Sequence, residues 1–176
     1  MNSAPKVQPI QKNLFLVGMM GTGKSTIGKI LAQRLSMKFI DSDSEIEKKS
    51  GSSIPEIFSD QGESTFRNME RTFINQINQD QPAVIACGGG LCIPAGMMEL
   101  LKSKGHVICL LANPTTLLER TQKDSNRPLL QVAQPLQALE KLLQEREGRY
   151  READTIIDTD ELLPEQVVER IIEHAL

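Results

Sequence analysis

The sequence predicts an α/β fold, a three-layer sandwich in which a parallel sheet of about five strands lies between helices. Five short apolar runs alternate with helix-length amphipathic segments along the 176 residues. Nearly every position in these runs is apolar, which is typical of parallel strands covered on both faces. A chain of this length forms one compact core. We therefore expect a single domain over 13–176 and a flexible tail over 1–12.

The predicted strands are far enough apart for a crossover helix between each pair. They cover 14–17, 39–40, 83–87, 107–111 and 155–157. Ser53 and Glu56 form a capping box that begins a helix. Gly105 can end the helix before the fourth strand, and Pro164 suits the first turn of the last helix. The polar segment 121–135 contains two prolines and interrupts the pattern, so we expect a long loop that serves as an active-site lid.

Composition excludes several classes of function. Twenty basic and 23 acidic side chains give a net charge of −3, which argues against a general polyanion binder and against disorder. Five Phe, one Tyr and no Trp leave little material for stacking nucleic-acid bases. We therefore expect no nucleic-acid partner.

The location of the protein is predicted from what the sequence lacks. No apolar run approaches the ~18 residues of a membrane span, and residues 1–12 contain no apolar signal core. Cys87, Cys92 and Cys109 lack the CxxC spacing of zinc or redox sites. We expect a cytoplasmic protein with buried free thiols and no membrane partner.

A phosphate-binding motif follows the first predicted strand directly. Gly18-Met19-Met20-Gly21-Thr22-Gly23-Lys24-Ser25 fits GxxxxGK[ST] and leads into an amphipathic helix. The glycines let backbone N–H groups surround a phosphate chain at the helix N-terminus. Lys24 would reach the β and γ phosphates, and Ser25 would ligate Mg²⁺. Strand, motif and helix together predict a nucleoside triphosphate site.

Two carboxylates follow the second predicted strand, in Asp41-Ser42-Asp43. The carboxyl ends of parallel strands form a ligand crevice, and alternate residues of an extended segment point to opposite sides. One Asp would then face a metal and the other a substrate, unless either Asp only caps the next helix. The third strand ends in Gly88-Gly89-Gly90 rather than in the acidic residue of many P-loop hydrolases. Asp41 is therefore the candidate metal carboxylate.

The three glycines themselves permit a small ligand to approach bare backbone. A plain flexible turn is the alternative interpretation.

Arg67 is the first candidate for binding a substrate anion. It borders the apolar stripe of the helix after Gly62, and Glu63 lies one turn earlier. An ordinary surface ion pair with Glu63 is the alternative.

Two further arginines are candidates. Arg146 continues the apolar spacing of the helix that begins at Pro135, and an inward guanidinium needs an anionic partner. That partner is either a ligand carboxylate or a protein carboxylate. Arg127, in the segment 121–135, would reach a transferring phosphoryl group, although a loop arginine is usually only solvated.

In order and spacing these motifs resemble those of shikimate kinases. The segments that carry the resemblance are Gly18 to Thr26, Asp41-Ser42-Asp43, Gly62-Glu63-Ser64-Thr65-Phe66-Arg67, Gly88-Gly89-Gly90, Leu118-Glu119-Arg120-Thr121 and Arg127-Pro128-Leu129-Leu130. The resemblance implies transfer of the γ-phosphoryl group of ATP to the 3-hydroxyl of shikimate, a step of chorismate and aromatic amino acid biosynthesis. It also implies a P-loop kinase fold with sheet order 2-3-1-4-5, a mobile lid and Mg²⁺ as the cofactor. We expect a monomer.

On the substrate side, the resemblance implies that Asp43 binds the shikimate hydroxyls and is the candidate catalytic base. Arg67 and Arg146 would hold the substrate carboxylate. Further substrate contacts would come from Gly88, Gly89 and Gly90.

On the nucleotide side, the resemblance places Asp41 in the outer shell of the metal and Arg120 against adenine. Arg127 would contact ATP and the transferring group, acting in catalysis with Lys24 and Asp43. The remaining ATP-binding residues would be Gly21, Thr22, Gly23, Ser25 and Thr26.

The sequence departs from the family pattern at one place. The usual Arg-x-Pro-Leu-Tyr reads Arg146-Glu147-Gly148-Arg149-Tyr150 here. Glycine in place of proline predicts a looser helix end, so Arg149 and Arg151 remain alternative ligands of the substrate carboxylate. A related small-metabolite kinase, such as a gluconate kinase, and a non-catalytic nucleotide-binding regulator are the alternative functions.

Overall fold

The computed structural model describes residues 11–121 and 133–175, which form five strands and seven helices. The strands are β1 (Asn13–Val17), β2 (Lys38–Asp41), β3 (Ala83–Ala86), β4 (Gly105–Leu111) and β5 (Thr155–Asp158). The helices are α1 (Lys24–Leu35), α2 (Ser42–Ser50), α3 (Ile54–Asn75), α4 (Met97–Lys104), α5 (Pro114–Thr121), α6 (Pro135–Tyr150) and α7 (Pro164–Ala175). All five predicted strands are present, with ends that differ by no more than two residues.

The five strands form one parallel sheet in the order β2-β3-β1-β4-β5. The predicted α/β class and the order 2-3-1-4-5 are both confirmed. Strand β1 lies in the centre of the sheet, with β3 and β2 on one side and β4 and β5 on the other. The turn after β1 therefore lies at the switch point where open α/β sheets bind ligands.

Two apolar layers cover the faces of the sheet. Alternate residues of β1 supply both layers, because successive side chains of a strand point to opposite faces. Phe15 packs in the layer formed with α2 to α6, and Leu16 packs in the layer formed with α1 and α7. All five residues of β1 are buried, which fixes the start of the phosphate-binding turn rigidly in the core.

The predicted helix ends are confirmed. Ser53 and Glu56 form a reciprocal capping box at the start of α3, Gly105 follows the last residue of α4, and Pro164 begins α7. Helix α3 is kinked at Gly62, where φ is 80°, a backbone conformation that favours glycine. The kink separates the capped first turns from the second half of α3, which carries Arg67.

The predicted lid is only partly within the described residues. Thr121 ends α5 and Pro135 begins α6, so these two residues belong to helices and not to a loop as predicted. Residues 122–132, with Arg127, lie outside the described residues, as do residues 1–10 of the predicted tail. The lid, the tail and the domain bounds stay predictions.

None of the described helices has both the length and the apolar character needed to span a bilayer.

Candidate active site

A cavity of about 810 Å³ opens at the carboxyl edge of the sheet. It brings together residues from the turn after β1, the end of β2, helices α3, α5 and α6, and the turn after β3. The predicted site residues that line it are Gly21, Thr22, Gly23, Lys24, Ser25, Thr26, Asp41, Asp43, Arg67, Gly88, Gly89, Gly90, Arg120 and Arg146. Arg127 is the one predicted site residue outside the described residues.

The turn between β1 and α1 has the geometry of a phosphate-binding loop. Lys24 Nζ donates to the carbonyl oxygens of Gly18 and Met19, at 2.9 Å each, so the ammonium group is held across the loop. Helix α1 begins at Lys24 without a side-chain cap from any described residue. Its first backbone N–H groups and its positive dipole end are therefore directed into the cavity, an arrangement that suits an anionic ligand.

Asp41 has two structural roles at once. Its Oδ2 accepts a hydrogen bond from Ser25 Oγ at 2.9 Å, while its Oδ1 accepts from the backbone N–H groups of Asp43 and Ser44 at 3.2 and 3.3 Å. The helix-cap interpretation and the metal interpretation of Asp41 are thus compatible. Mg²⁺ prefers hydroxyl, carboxylate and phosphate oxygens and keeps several waters, so the Ser25 and Asp41 oxygens fit this ion.

The described residues contain no cluster of three or more His, Cys, Asp or Glu side chains that would bind a metal alone. A Mg²⁺ ion here would take most of its ligands from phosphates and water.

Asp43 lies in the first turn of α2 against the glycines that follow β3. A Cβ atom on Gly88 would lie 2.5 Å from Asp43 Oδ1, so a side chain at position 88 would displace the carboxylate. The Gly88 N–H donates to Ser42 Oγ at 2.9 Å, which fixes this close approach. Burial and the neighbouring Asp41 raise the pKa of Asp43, and Lys24 opposes them. A carboxyl group in this environment is suited to accept a proton.

Arg67 is held by two carboxylates on its own helix. Its Nη2 lies 2.9 Å from Glu63 Oε1 and its Nη1 lies 2.8 Å from Glu70 Oε2. The predicted pair with Glu63 is present, and the sequence interpretation missed Glu70, whose side chain is 1% exposed. A Cβ atom on Gly90 would lie 3.0 Å from both Nη atoms, so the third glycine gives the guanidinium room beside the backbone.

Glu70 is the most perturbed acid of the site. Its Oε1 is buried and has no hydrogen-bond partner among the described residues. Burial raises the pKa of Glu70 to about 7, although the Arg67 guanidinium lowers it. The carboxyl group therefore changes charge near neutral pH.

Arg146 reaches the cavity from α6, as its helical spacing predicts. Its Nη1 lies 3.5 Å from the Gly89 carbonyl oxygen and 4.0 Å from Met19 Sδ. Tyr150, one turn later, donates its hydroxyl to the same carbonyl at 2.7 Å. No described carboxylate pairs with Arg146, which favours a ligand carboxylate as its partner.

The Gly148 substitution does not disturb this arrangement. Helix α6 runs without a break through Gly148 to Tyr150, so the predicted loosening of the helix end is wrong. Arg149 pairs with Glu152 and Arg151 pairs with Glu147, and neither lines the cavity. A continuous helix keeps Arg146 on the inward face.

The three cysteines are free and buried, as predicted. Burial raises the pKa of all three thiols, so they act as apolar core residues.

Comparison with known proteins identifies the family. The shikimate kinase family model matches residues 20–176. The chain belongs to the shikimate kinase family. A shikimate kinase of Thermodesulfovibrio yellowstonii is 45% identical over 161 residues, which are 92% of this chain and 93% of the relative. As a member of this family, the chain is an ATP-dependent kinase that acts on shikimate.

Solved structures agree with this assignment. Shikimate kinase from Acinetobacter baumannii in complex with shikimate has a TM-score of 0.86 and 41% identity, covering 94% of this chain and 93% of that one. A gluconokinase from Sinorhizobium meliloti has a TM-score of 0.60 at 16% identity and covers 96% of this chain and 97% of that one. The second likeness shows a shared fold alone, so it gives the gluconate kinase alternative no further support.

Two buried residues of the site were missed by sequence reasoning. Glu70 lies four residues after Phe66 and three before Phe73, both of which are buried, so helical spacing places it inward and could have revealed it. Thr159, which holds Arg120, follows β5 in an irregular segment. Periodicity carries no signal there.

Proposed function

We propose that this chain transfers the γ-phosphoryl group of ATP to the 3-hydroxyl of shikimate through the residues of the 810 Å³ cavity. The observation that carries the proposal is the convergence of a phosphate-binding loop, the half-buried Asp43 and two arginines on one cavity. An anionic polyol needs hydroxyl acceptors and cations together, and this edge of the sheet supplies both.

Asp43, Arg67 and Arg146 bind the acceptor in this proposal. The two guanidinium groups bind the shikimate carboxylate, since charge-assisted hydrogen bonds to a carboxylate are the strong ones. Asp43 accepts a hydrogen bond from the 3-hydroxyl and orients it toward ATP. The backbone of the glycine turn at 88–90 lies against the ring of the substrate.

The nucleotide occupies the loop at 18–25. The backbone N–H groups at the start of α1 and the Lys24 ammonium group bind the phosphates, and Arg120 lies beside the base. Arg127 approaches the transferring group from the segment 121–135. The Ser25 hydroxyl and, in the outer shell, the Asp41 carboxylate would hold Mg²⁺, which would neutralise phosphate charge.

The reaction then proceeds as one substitution at phosphorus. A bond forms between the 3-oxygen of shikimate and the γ phosphorus, the bond from that phosphorus to the βγ-bridging oxygen breaks, and the hydroxyl proton passes to Asp43. Lys24 stabilises the charge that develops on the phosphoryl oxygens. We further propose that the chain works as a cytoplasmic monomer, since one chain supplies the described cavity residues and its thiols are unpaired.

ADP release, measured with no acceptor, with shikimate and with gluconate, tests the proposal. We expect release that depends on shikimate, and Lys24→Met serves as the inactive control with a kcat lower by ~10² or more. Faster turnover of gluconate would support the related metabolite kinase instead. ATP binding without shikimate-dependent release would support the non-catalytic regulator.

A further inference from the structure

Thr159 holds the guanidinium group of Arg120 through two hydrogen bonds. Arg120 Nη1 donates to Thr159 Oγ1 at 2.9 Å, and Nη2 donates to the Thr159 carbonyl oxygen at 2.8 Å. Arg120 stands near the end of α5, and Thr159 follows β5 directly. Two hydrogen bonds to neighbouring atoms of one residue fix both the position and the plane of a guanidinium group.

Thr159 is itself fixed to the sheet. Its backbone N–H and its hydroxyl both donate to the Leu111 carbonyl oxygen, at 2.8 and 2.9 Å. The hydroxyl therefore uses its proton on Leu111 and accepts from Arg120 at the same time. Thr159 is 1% exposed, so water does not compete for these bonds.

This arrangement leaves the flat faces of the guanidinium group unused, because hydrogen bonds to N–H groups lie in its plane. A planar cation stacks through its face on an aromatic ring. Arg120, Thr159 and the apolar Leu162 and Pro164 line the same cavity as the phosphate-binding loop. A purine base attached to phosphates in that loop is the ligand that suits the end of the cavity lined by Arg120 and these apolar residues.

We propose that Thr159 is a positioning residue that orients Arg120 to stack on the nucleobase of the bound nucleotide. The inference rests on the proposed ATP site. It adds that Thr159 sets the plane of the Arg120 guanidinium group. Thr159 touches no reacting atom and acts only through Arg120.

Nucleotide binding measured by calorimetry, without an acceptor, tests this role. Thr159→Val removes the hydroxyl at nearly constant volume, and Thr159→Ser keeps it. We expect Thr159→Val to weaken ADP binding roughly tenfold, the size of one cation–π contact, and Thr159→Ser to bind as wild type does. Inorganic tripolyphosphate, which has no base, should bind both variants equally well.

An Arg120→Ala background separates positioning from a general loss of fold. There, Thr159→Val should change ADP affinity less than twofold, because the arginine through which it acts is gone. Thr155→Val is the matched control, since its hydroxyl lies 2.8 Å from His106 Nε2 near the other end of β5, and we expect unchanged ADP binding.

Three results would overturn the inference. They are unchanged ADP affinity in Thr159→Val, equal weakening of ADP and tripolyphosphate, and an undiminished effect in the Arg120→Ala background. Because no acceptor is present, these results are distinct from a failure of shikimate phosphorylation.

Discussion

Asp43 is the residue to which the proposed mechanism assigns proton transfer. Asp43→Asn keeps the size of the side chain but removes the charge that accepts the hydroxyl proton. Removal of a general base lowers rates by ~10² to 10⁴, and we expect a loss of that size in kcat with ADP still bound. If Asp43→Asn were nearly as active as wild type while Asp41→Asn were inactive, the roles of the two carboxylates would be reversed.

Glu70 makes stability depend on pH. Burial raises the pKa of Glu70 from 4.5 to about 7 in the folded protein, so the folded state binds this proton more tightly than the unfolded chain does. The resulting contribution to stability is present below pH 4.5 and is lost as the pH rises through about 7. Glu70→Gln removes this dependence.

Urea unfolding of wild type and Glu70→Gln at pH 5 and pH 8 measures the effect. Relative to the variant, wild type should lose roughly 2 to 3 kcal/mol of unfolding free energy over this interval, at roughly 1.4 kcal/mol per pKa unit. Glu63→Gln is the control, because Glu63 pairs with the same arginine but its side chain is 64% exposed, and such pairs contribute little. A difference between wild type and Glu70→Gln that does not change with pH would contradict the assignment.

Helix α6 contains a glycine, Gly148, that lowers the stability of the helix. Gly148 lies in its exposed interior, and a Cβ atom there would meet nothing within 4 Å. Gly148→Ala should stabilise the protein by about 0.5 to 1 kcal/mol through helix propensity, with activity unchanged. Thermal or urea unfolding measures this gain.

Gly28→Ala is the matched control for that variant. A Cβ atom on Gly28, within α1, would lie 2.7 Å from the Phe39 ring, so the same substitution should destabilise. A loss of stability in Gly148→Ala would show that α6 is not a regular helix at this position.

The elements that sequence predicts best are those with strong local signals. β1 is apolar from Leu14 to Val17, and the Ser53 capping box places the start of α3 by local hydrogen bonding alone. Helical spacing predicts that Arg146 lies on the inward face of α6, although Gly148 predicts a looser end for the same helix. Intact α6 shows that burial of Tyr150 and Leu139 outweighs one glycine, since packing supplies most of a helix's stability.

At the scale of the whole molecule, the topology assembles a site that no single segment contains. The turns after β1, β2 and β3 meet because these strands are parallel neighbours in the sheet. Local sequence predicted which residue types would be at this edge. Local sequence could not show that Glu70 would be buried away from solvent. It also could not show that Arg120 would donate a hydrogen bond to Thr159, 39 residues further along the chain. Both features depend on how distant elements pack.

In the proposed site, Arg146 and Arg67 bind the carboxylate of shikimate. The most direct measurement compares kcat/KM for shikimate and its neutral methyl ester in wild type, Arg146→Ala and Arg149→Ala. Loss of one partner of a buried charge pair weakens binding by roughly 2 kcal/mol or more. We therefore expect wild type and Arg149→Ala to prefer shikimate ~30-fold or more, and Arg146→Ala to lose most of this preference. An undiminished preference in Arg146→Ala, or its loss in Arg149→Ala, would contradict the assignment of Arg146 to the substrate carboxylate.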